Sequence, residues 1–243
     1  MPTPSGTLRA VTFDCWNTLL VETNPEQGFE IRLRAYHRML IDGGRDVVPA
    51  RAEIALADAW RRHAQAWSEG RNTGAPEVAR WALEPFGLDD AARVQELTRV
   101  LAEARTDDGV AALPGARETL ERLQARGLGM ALICDTGLIT GAVTRELLDE
   151  VGLLPHLQVL IFSDEAGVPK PHRRVFEAAL EGLGVDAADT VHVGDIRRTD
   201  IAGAKGIGMG AIRIRAEHDD ISEHPDGDHV VDSHEDLRVV LGC

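Results

Sequence analysis

Short apolar runs alternating with segments of helical periodicity constrain this 243-residue chain more than any other feature. Residues 8–14 and 189–193 read as short buried strands, and 128–134 and 157–162 have the same character. Pro114-Gly115 opens a helix over Ala116–Ala125, which Gly127 closes before Leu128 starts a strand. Val175–Leu183 repeats apolar residues at helical spacing and ends near Gly184. The alternation continues to a last strand around Val230 and a last helix from His234. Such a pattern requires parallel crossovers, so the expected fold class is α/β, a doubly wound parallel sheet. With 44% hydrophobic residues the chain can bury a full core.

Residues 22–110 break the rhythm. Helical stretches fall at roughly 26–41, 50–69, 76–85 and 90–105, separated by Gly, Pro and Asn-Thr-Gly, with no convincing strand. An all-helical insertion after the first strand is expected. Residues 1–21 and 111–243 would then form the sheet domain, and 22–110 a helical cap. Six of the ten aromatic residues lie in the insertion: Phe29, Tyr36, Trp60, Trp67, Trp81 and Phe86. Most should pack the helical bundle, because each buries a large area. One or two facing the sheet would line a substrate pocket. The chain shows no internal repeat and no low-complexity segment.

The charge balance, 26 basic against 40 acidic residues, gives −14. A chain this acidic repels phosphate backbones and anionic lipid, so no nucleic-acid and no membrane partner is expected. Cys15, Cys134 and Cys243 are odd in number and widely spaced, which argues against a disulfide framework and for a reducing compartment. The first ten residues hold no apolar signal core, and no run approaches a bilayer span. A soluble cytoplasmic location is the expectation, with no oligomeric state implied.

Chemistry concentrates where the strands end. Asp14 closes the first apolar run; Lys170 sits in Val168-Pro-Lys-Pro171; Asp195 and Asp200 lie in Gly194-Asp-Ile-Arg-Arg-Thr-Asp200. Groups at the ends of neighbouring parallel strands converge on one crevice. Alone, Asp14 would read as a turn or helix cap; with the others it reads as a carboxylate nucleophile, activated by desolvation and a nearby cation. Of the 26 basic residues only Lys170 and Lys205 are lysines. Where Arg is the general choice, a Lys in a tight Pro-Lys-Pro turn points to a need for a compact ammonium. Its role would be to keep Asp14 ionised and to offset charge on a transferring group. Three carboxylates together call for a cation, and Mg²⁺ on oxygen ligands is the natural one. Asp200 could also act as the N-cap of a helix beginning near Ile201.

In order and spacing these motifs resemble the haloacid dehalogenase-like hydrolase superfamily, over nearly the whole chain. The insertion between the first and second motifs is similar to that of members with a helical cap. Trp16-Asn-Thr18 and Phe162–Glu165 resemble a subgroup of hydrolases without assigned substrates. The resemblance implies an aspartyl covalent intermediate on Asp14, with Lys170 as its catalytic partner. It also implies Mg²⁺ held by Asp14, Asp195 and the backbone carbonyl of Trp16, with Asp200 in the same metal site, steadying Lys170 or a metal-bound water. The family's second motif usually carries Ser or Thr followed by Asn; here Cys134-Asp135 precede Thr136-Gly137. A thiol donates poorly, so substrate contacts from Cys134, Asp135 and Thr136 should pass to Thr136 or a backbone N–H. Nothing cationic lies beside Cys134 in sequence to make it a nucleophile.

Trp16 occupies the position where phosphatases of the superfamily carry a second acid. That acid is worth about 10²–10⁴-fold in rate, and an indole cannot replace it. An aromatic there resembles the dehalogenase branch, whereas Asp195 resembles the metal-dependent phosphatases. Three readings follow. The first is an Mg²⁺-dependent hydrolase of a small phosphorylated metabolite, a phosphate ester or an acyl phosphate. The second is a 2-haloacid dehalogenase-like carbon–halogen hydrolase. The third is a binding or regulatory protein that keeps the fold with degraded catalysis. Phosphonate cleavage through a cap lysine is excluded, since 22–110 contains no lysine.

Overall fold

The computed structural model describes residues 8–104 and 109–243. From the N-terminus the chain runs through β1 (Ala10–Phe13), β2 (Leu20–Glu22), α1 (Pro25–Asp42), α2 (Pro49–Ser68), α3 (Ala75–Leu83) and α4 (Ala91–Glu103). Next come β3 (Val110–Ala112), α5 (Ala116–Ala125), β4 (Gly129–Cys134), α6 (Gly141–Glu150), β5 (Val159–Phe162) and α7 (Ser163–Ala166). The chain ends with α8 (Arg173–Leu183), β6 (Thr190–Gly194), α9 (Ala202–Gly206), β7 (Gly210–Ile214), β8 (His229–Val231) and α10 (His234–Leu241). It divides into two compact units. One holds Met1–Val21, Val110–Asp135 and Arg145–Cys243; the other holds Glu22–Gly109 and Thr136–Thr144.

The first unit is built on a six-stranded sheet of order β5-β4-β1-β6-β7-β8, parallel throughout. From β1 the chain steps outward to β4 and β5, then returns to the other side of β1 and continues through β6, β7 and β8. Right-handed crossovers in opposite directions put α5 on one face and α8 and α9 on the other. On the latter face Val175, Phe176, Ala179 and Leu180 of α8 cluster with Ala131, Ile133, Ile201, Ala204 and Ala211. The doubly wound α/β fold expected from the alternation is the one observed. A second, two-stranded sheet joins β2 and β3. Strands of three residues are too short to leave a period-2 signature, so this sheet was not legible in the sequence.

The second unit is helical. Pro25 and Pro49 start α1 and α2, where a missing N–H costs nothing. Asp90 caps α4 by accepting the Arg93 N–H at 3.2 Å. These helices fall close to the stretches read from periodicity, although position 105, the expected end of the fourth, lies outside the described residues. Tyr36, Leu40, Leu56, Val78, Leu83, Leu97 and Leu101 form the core, and the Tyr36 hydroxyl donates to the Ala82 carbonyl. Of the six aromatics, Tyr36 and Phe86 are buried in this core and Trp81 packs against it, while Phe29 and Trp60 are exposed. Trp60 stacks on His63, and both lie over Gly137. Among the described residues no helix is long and apolar enough to cross a membrane.

Phe176 is fully buried and meets the edge of the His192 ring. Phe176→Ala should therefore cost about 3–5 kcal/mol, read as a lower midpoint in urea unfolding. A change below about 1 kcal/mol would mean that this face of the sheet repacks freely.

Candidate active site

The strand order reverses between β1 and β6, the point at which open parallel sheets leave a crevice at their carboxyl ends. Asp14 follows β1 there, and its N–H donates to the Val193 carbonyl of β6 at 2.8 Å. Backbone pairing thus continues up to the carboxylate. The chain then turns tightly: the N–H groups of Leu19 and Leu20 both reach the Cys15 carbonyl, and Asn17 takes a positive φ of 58°. Asparagine tolerates that left-handed conformation better than most residues. The turn places the Asn17 Nδ2 3.5 Å from Oδ2 of Asp195, at the end of β6.

Lys170 arrives on the turn after α7. Its N–H donates to Oδ1 of Asp135 at 2.8 Å, which ties the turn to the end of β4. The residue is 2% exposed. Its Nζ donates to Oδ1 of Asp14 and lies 2.7 Å from Oδ1 of Asp200. Burial opposes the ammonium, but Asp14, Asp200 and Asp135 outweigh it and raise Lys170 well above the usual lysine range. Lys170 is therefore held charged.

Asp200 does not cap a helix starting at Ile201. The chain makes a π-helical turn over Arg197–Ile201, and Asp200 lies within it, its N–H donating to the Ile196 carbonyl. Its Oδ2 accepts the Ile196 N–H at 3.0 Å, and its Oδ1 faces His192 Nε2 at 3.3 Å as well as Lys170. Behind it, His192 Nδ1 lies 2.8 Å from the Thr12 hydroxyl. Burial lowers His192 below the usual histidine range, so it is neutral. A neutral ring that donates through Nε2 to Asp200 accepts from Thr12 at Nδ1. Gly194 makes this approach possible: a Cβ there would stand 2.4 Å from Cγ of Asp200.

One oxygen from each of Asp14, Asp195 and Asp200 lies within 4.8 Å of the others. Lys170 offsets only one of three negative charges. Burial, with repulsion from Asp200 and Asp195, leaves Asp14 well above the usual carboxylate range despite Lys170. Burial and Asp200 push Asp195 up to about 7. Asp200 goes the other way: burial opposes its charge, but Lys170 and His192 hold it below the usual range. The unrelieved charge sits on Asp14 and Asp195, and a hard divalent cation on oxygen ligands would neutralise it. The donor set fits Mg²⁺.

Four of the sequence-read residues, Asp14, Lys170, Asp195 and Asp200, thus converge. Trp16 lies half-buried in the turn after Asp14, bridged to Leu20. Asp135 anchors the Lys170 turn. Cys134 is buried, and its neighbour Cys15, with burial, pushes its thiol well up, so it is no nucleophile. Thr136 is buried and falls in the helical unit. Sequence reasoning missed Thr12, Asn17, His192 and His218, whose Nδ1 lies 2.8 Å from Oδ2 of Asp195. Thr12 and His192 did leave a signal. They are polar residues inside two apolar strands, and the register makes them direct partners.

A family model described as haloacid dehalogenase-like hydrolase matches residues 8–208. The chain belongs to the haloacid dehalogenase-like hydrolases. It is 30% identical over 210 residues to haloacid dehalogenase-like hydrolase domain-containing protein 3 of Xenopus laevis, covering 83% of this chain and 82% of that one. A glyceraldehyde 3-phosphate phosphatase of Methanocaldococcus jannaschii is 34% identical over 125 residues, 51% of this chain and 54% of that enzyme. The 2-haloacid dehalogenase of Pseudomonas syringae pv. Tomato DC3000 superposes with a TM-score of 0.69 over 97% of this chain and 99% of its own, at 24% identity. That structural likeness shows the fold alone. The family membership makes this haloacid dehalogenase-like chain a hydrolase.

Without a divalent cation, Asp195 should lose its proton near pH 3.8 when unfolded but only at about 7 when folded. In that window the folded state holds the extra proton, so its stability contribution is lost as pH rises through it. The metal-free Tm of wild type should fall from about pH 5 to about pH 7.5 relative to Asp195→Asn, which has no such proton. Parallel pH curves for the two proteins would show that Asp195 is not perturbed.

Proposed function

We propose that this hydrolase is an Mg²⁺-dependent phosphatase of a small phosphorylated metabolite, working through an aspartyl-phosphate on Asp14. The observation that carries the reading is the buried arrangement of Lys170 between Asp14 and Asp200, with Asp195 beside them. Likeness to a relative named as a glyceraldehyde 3-phosphate phosphatase supports it.

In this mechanism a carboxylate oxygen of Asp14 attacks phosphorus and the bond to the leaving oxygen breaks. Water then attacks the aspartyl-phosphate, releasing inorganic phosphate and restoring the carboxylate. Lys170 keeps Asp14 ionised and faces the negative charge of the phosphoryl group. Asp200 fixes the ammonium, and His192 with Thr12 fixes Asp200. Asp14, Asp195 and the Trp16 carbonyl would hold Mg²⁺, which supplies positive charge to the phosphoryl oxygens. Thr136 or a backbone N–H of its segment would contact the substrate. The sheet unit would carry the chemistry and the helical unit would select the substrate. Trp16 cannot protonate a leaving alkoxide, so the reading extends to substrates whose leaving group departs without help, such as acyl or aryl phosphates.

Carbon–halogen hydrolysis is the second reading, favoured by Trp16 alone, since a halide leaves without a proton. It gives no use for the cation-demanding set of Asp14, Asp195 and Asp200. A screen of phosphate esters and haloacids, with and without Mg²⁺, separates the two. Phosphate release that needs Mg²⁺ supports the first; halide release without metal replaces it with the second.

Asp14→Asn should abolish turnover while the far-ultraviolet circular dichroism stays that of wild type, because the near-isosteric amide cannot form the intermediate. Substantial residual turnover would remove Asp14 as nucleophile. Trp16→Asp should raise kcat/KM for an alkyl phosphate more than for an aryl phosphate. The gain is bounded by the general acid range of about 10²–10⁴ and reduced by the cavity that the indole leaves. An equal change for both substrates would mean that Trp16 only packs.

A further inference from the structure

The segment between β7 and β8 is dense in charge, and its ion pairs are unlike those on the helix surfaces. Arg213 of β7 has a side chain only 3% exposed. Its Nε and Nη2 reach both oxygens of Asp226 at 2.7 and 3.2 Å, and its Nη1 reaches Asp219 at 2.7 Å. Arg197, two residues after Asp195, adds a second hold. Its N–H donates to Asp220 at 2.7 Å, its Nη1 to the Ser222 carbonyl at 2.5 Å, and its Nη2 lies 3.0 Å from Asp226. A forked guanidinium on two carboxylates fixes direction as well as distance.

The two residues directly after His218 are therefore both pinned, Asp219 by Arg213 and Asp220 by the Arg197 backbone. His218 itself is 46% exposed, yet its Nδ1 lies 2.8 Å from Oδ2 of an Asp195 side chain that is 2% exposed. Asn17 Nδ2 approaches the same oxygen. Among the described residues both side-chain partners of Asp195 thus fall on Oδ2 rather than Oδ1.

We propose that His218 is a positioning residue for the cation site: clasped in place by Arg213 and Arg197, it orients the Asp195 carboxylate so that Oδ1 is presented to a divalent cation. The inference rests on the Mg²⁺-dependent reading above. Partners that orient a metal-ligating group typically contribute 10–100-fold in metal affinity. The same contact explains why an exposed histidine follows a strand far from the first motif in sequence. It also gives the arginine clasp a purpose beyond holding a surface segment.

The test is an Mg²⁺ titration of the whole protein, read as the rise in Tm and, separately, as the Mg²⁺ dependence of aryl phosphate hydrolysis. Wild type, His218→Ala and His218→Asn are compared; the asparagine Nδ2 can donate from near the position of the imidazole Nδ1. We expect His218→Ala to raise the apparent Kd for Mg²⁺ by about 10–100-fold, with an unchanged metal-free Tm and most of the affinity restored by His218→Asn. Equal Kd values for wild type and His218→Ala, with wild type binding normally, would overturn the positioning role alone. A lower metal-free Tm with no rescue by Asn would make the contact merely structural and overturn it too. A wild type indifferent to Mg²⁺ in both readouts would overturn the metal-dependent reading and this inference with it.

Discussion

A lysine ammonium buried among carboxylates is the interaction on which the rest of the site depends. An isolated charge at 2% exposure would be too costly to keep, and removing either partner of such a pair leaves an uncompensated charge. Lys170 is tolerated because Asp14 after β1 and Asp200 in the π-helical turn after β6 both meet its Nζ, and Asp135 anchors its turn. Each partner is positioned by a separate device. The β1–β6 pairing sets Asp14, the π-helical turn and the bare Gly194 set Asp200, and the end of β4 sets Asp135. The parallel sheet matters to function because it lets three crossover connections deliver their charges to one crevice.

The charges around that lysine do not balance. Two of the three clustered carboxylates, Asp14 and Asp195, are held above the usual range, and only Asp200, bonded to both Lys170 and His192, is held below it. This splitting assigns different roles to chemically identical side chains. Asp200 is spent on Lys170, with both oxygens already engaged. Asp14 and Asp195 keep the capacity to take a cation. Within the triad this splitting favours Asp14 and Asp195 as the pair that faces a cation and Asp200 as the partner of Lys170.

Outside the crevice, most ion pairs join Arg to Asp or Glu on exposed helix faces, where each contributes about 0–1 kcal/mol. The pairs around Arg213 and Arg197 differ because the Arg213 guanidinium is buried and its acceptors come from a long connection. They convert an acidic segment that would otherwise repel itself into one of fixed course. The preference for arginine over lysine, 24 against two, has its structural use here, since a forked donor can hold two carboxylates at once.

The sequence alone determined the layering, the helical insertion and the convergence of Asp14, Lys170, Asp195 and Asp200. Apolar periodicity and turn residues are local properties, and a parallel sheet brings its strand ends together whatever the details. Helix limits such as Ala116–Ala125 were legible because Pro114-Gly115 and Gly127 punctuate them. Only the tertiary structure decided which groups serve the four. His192 reads as one polar residue in an apolar strand until the register sets it against Thr12. Asn17 depends on a single positive φ, and His218 on salt bridges between residues far apart in the chain, such as Arg197 and Asp226. The Thr136–Thr144 segment joins the helical unit although it follows closely on a strand of the sheet. Partnerships of this kind are set by where the backbone goes in space, and a one-dimensional pattern carries composition and period but no direction.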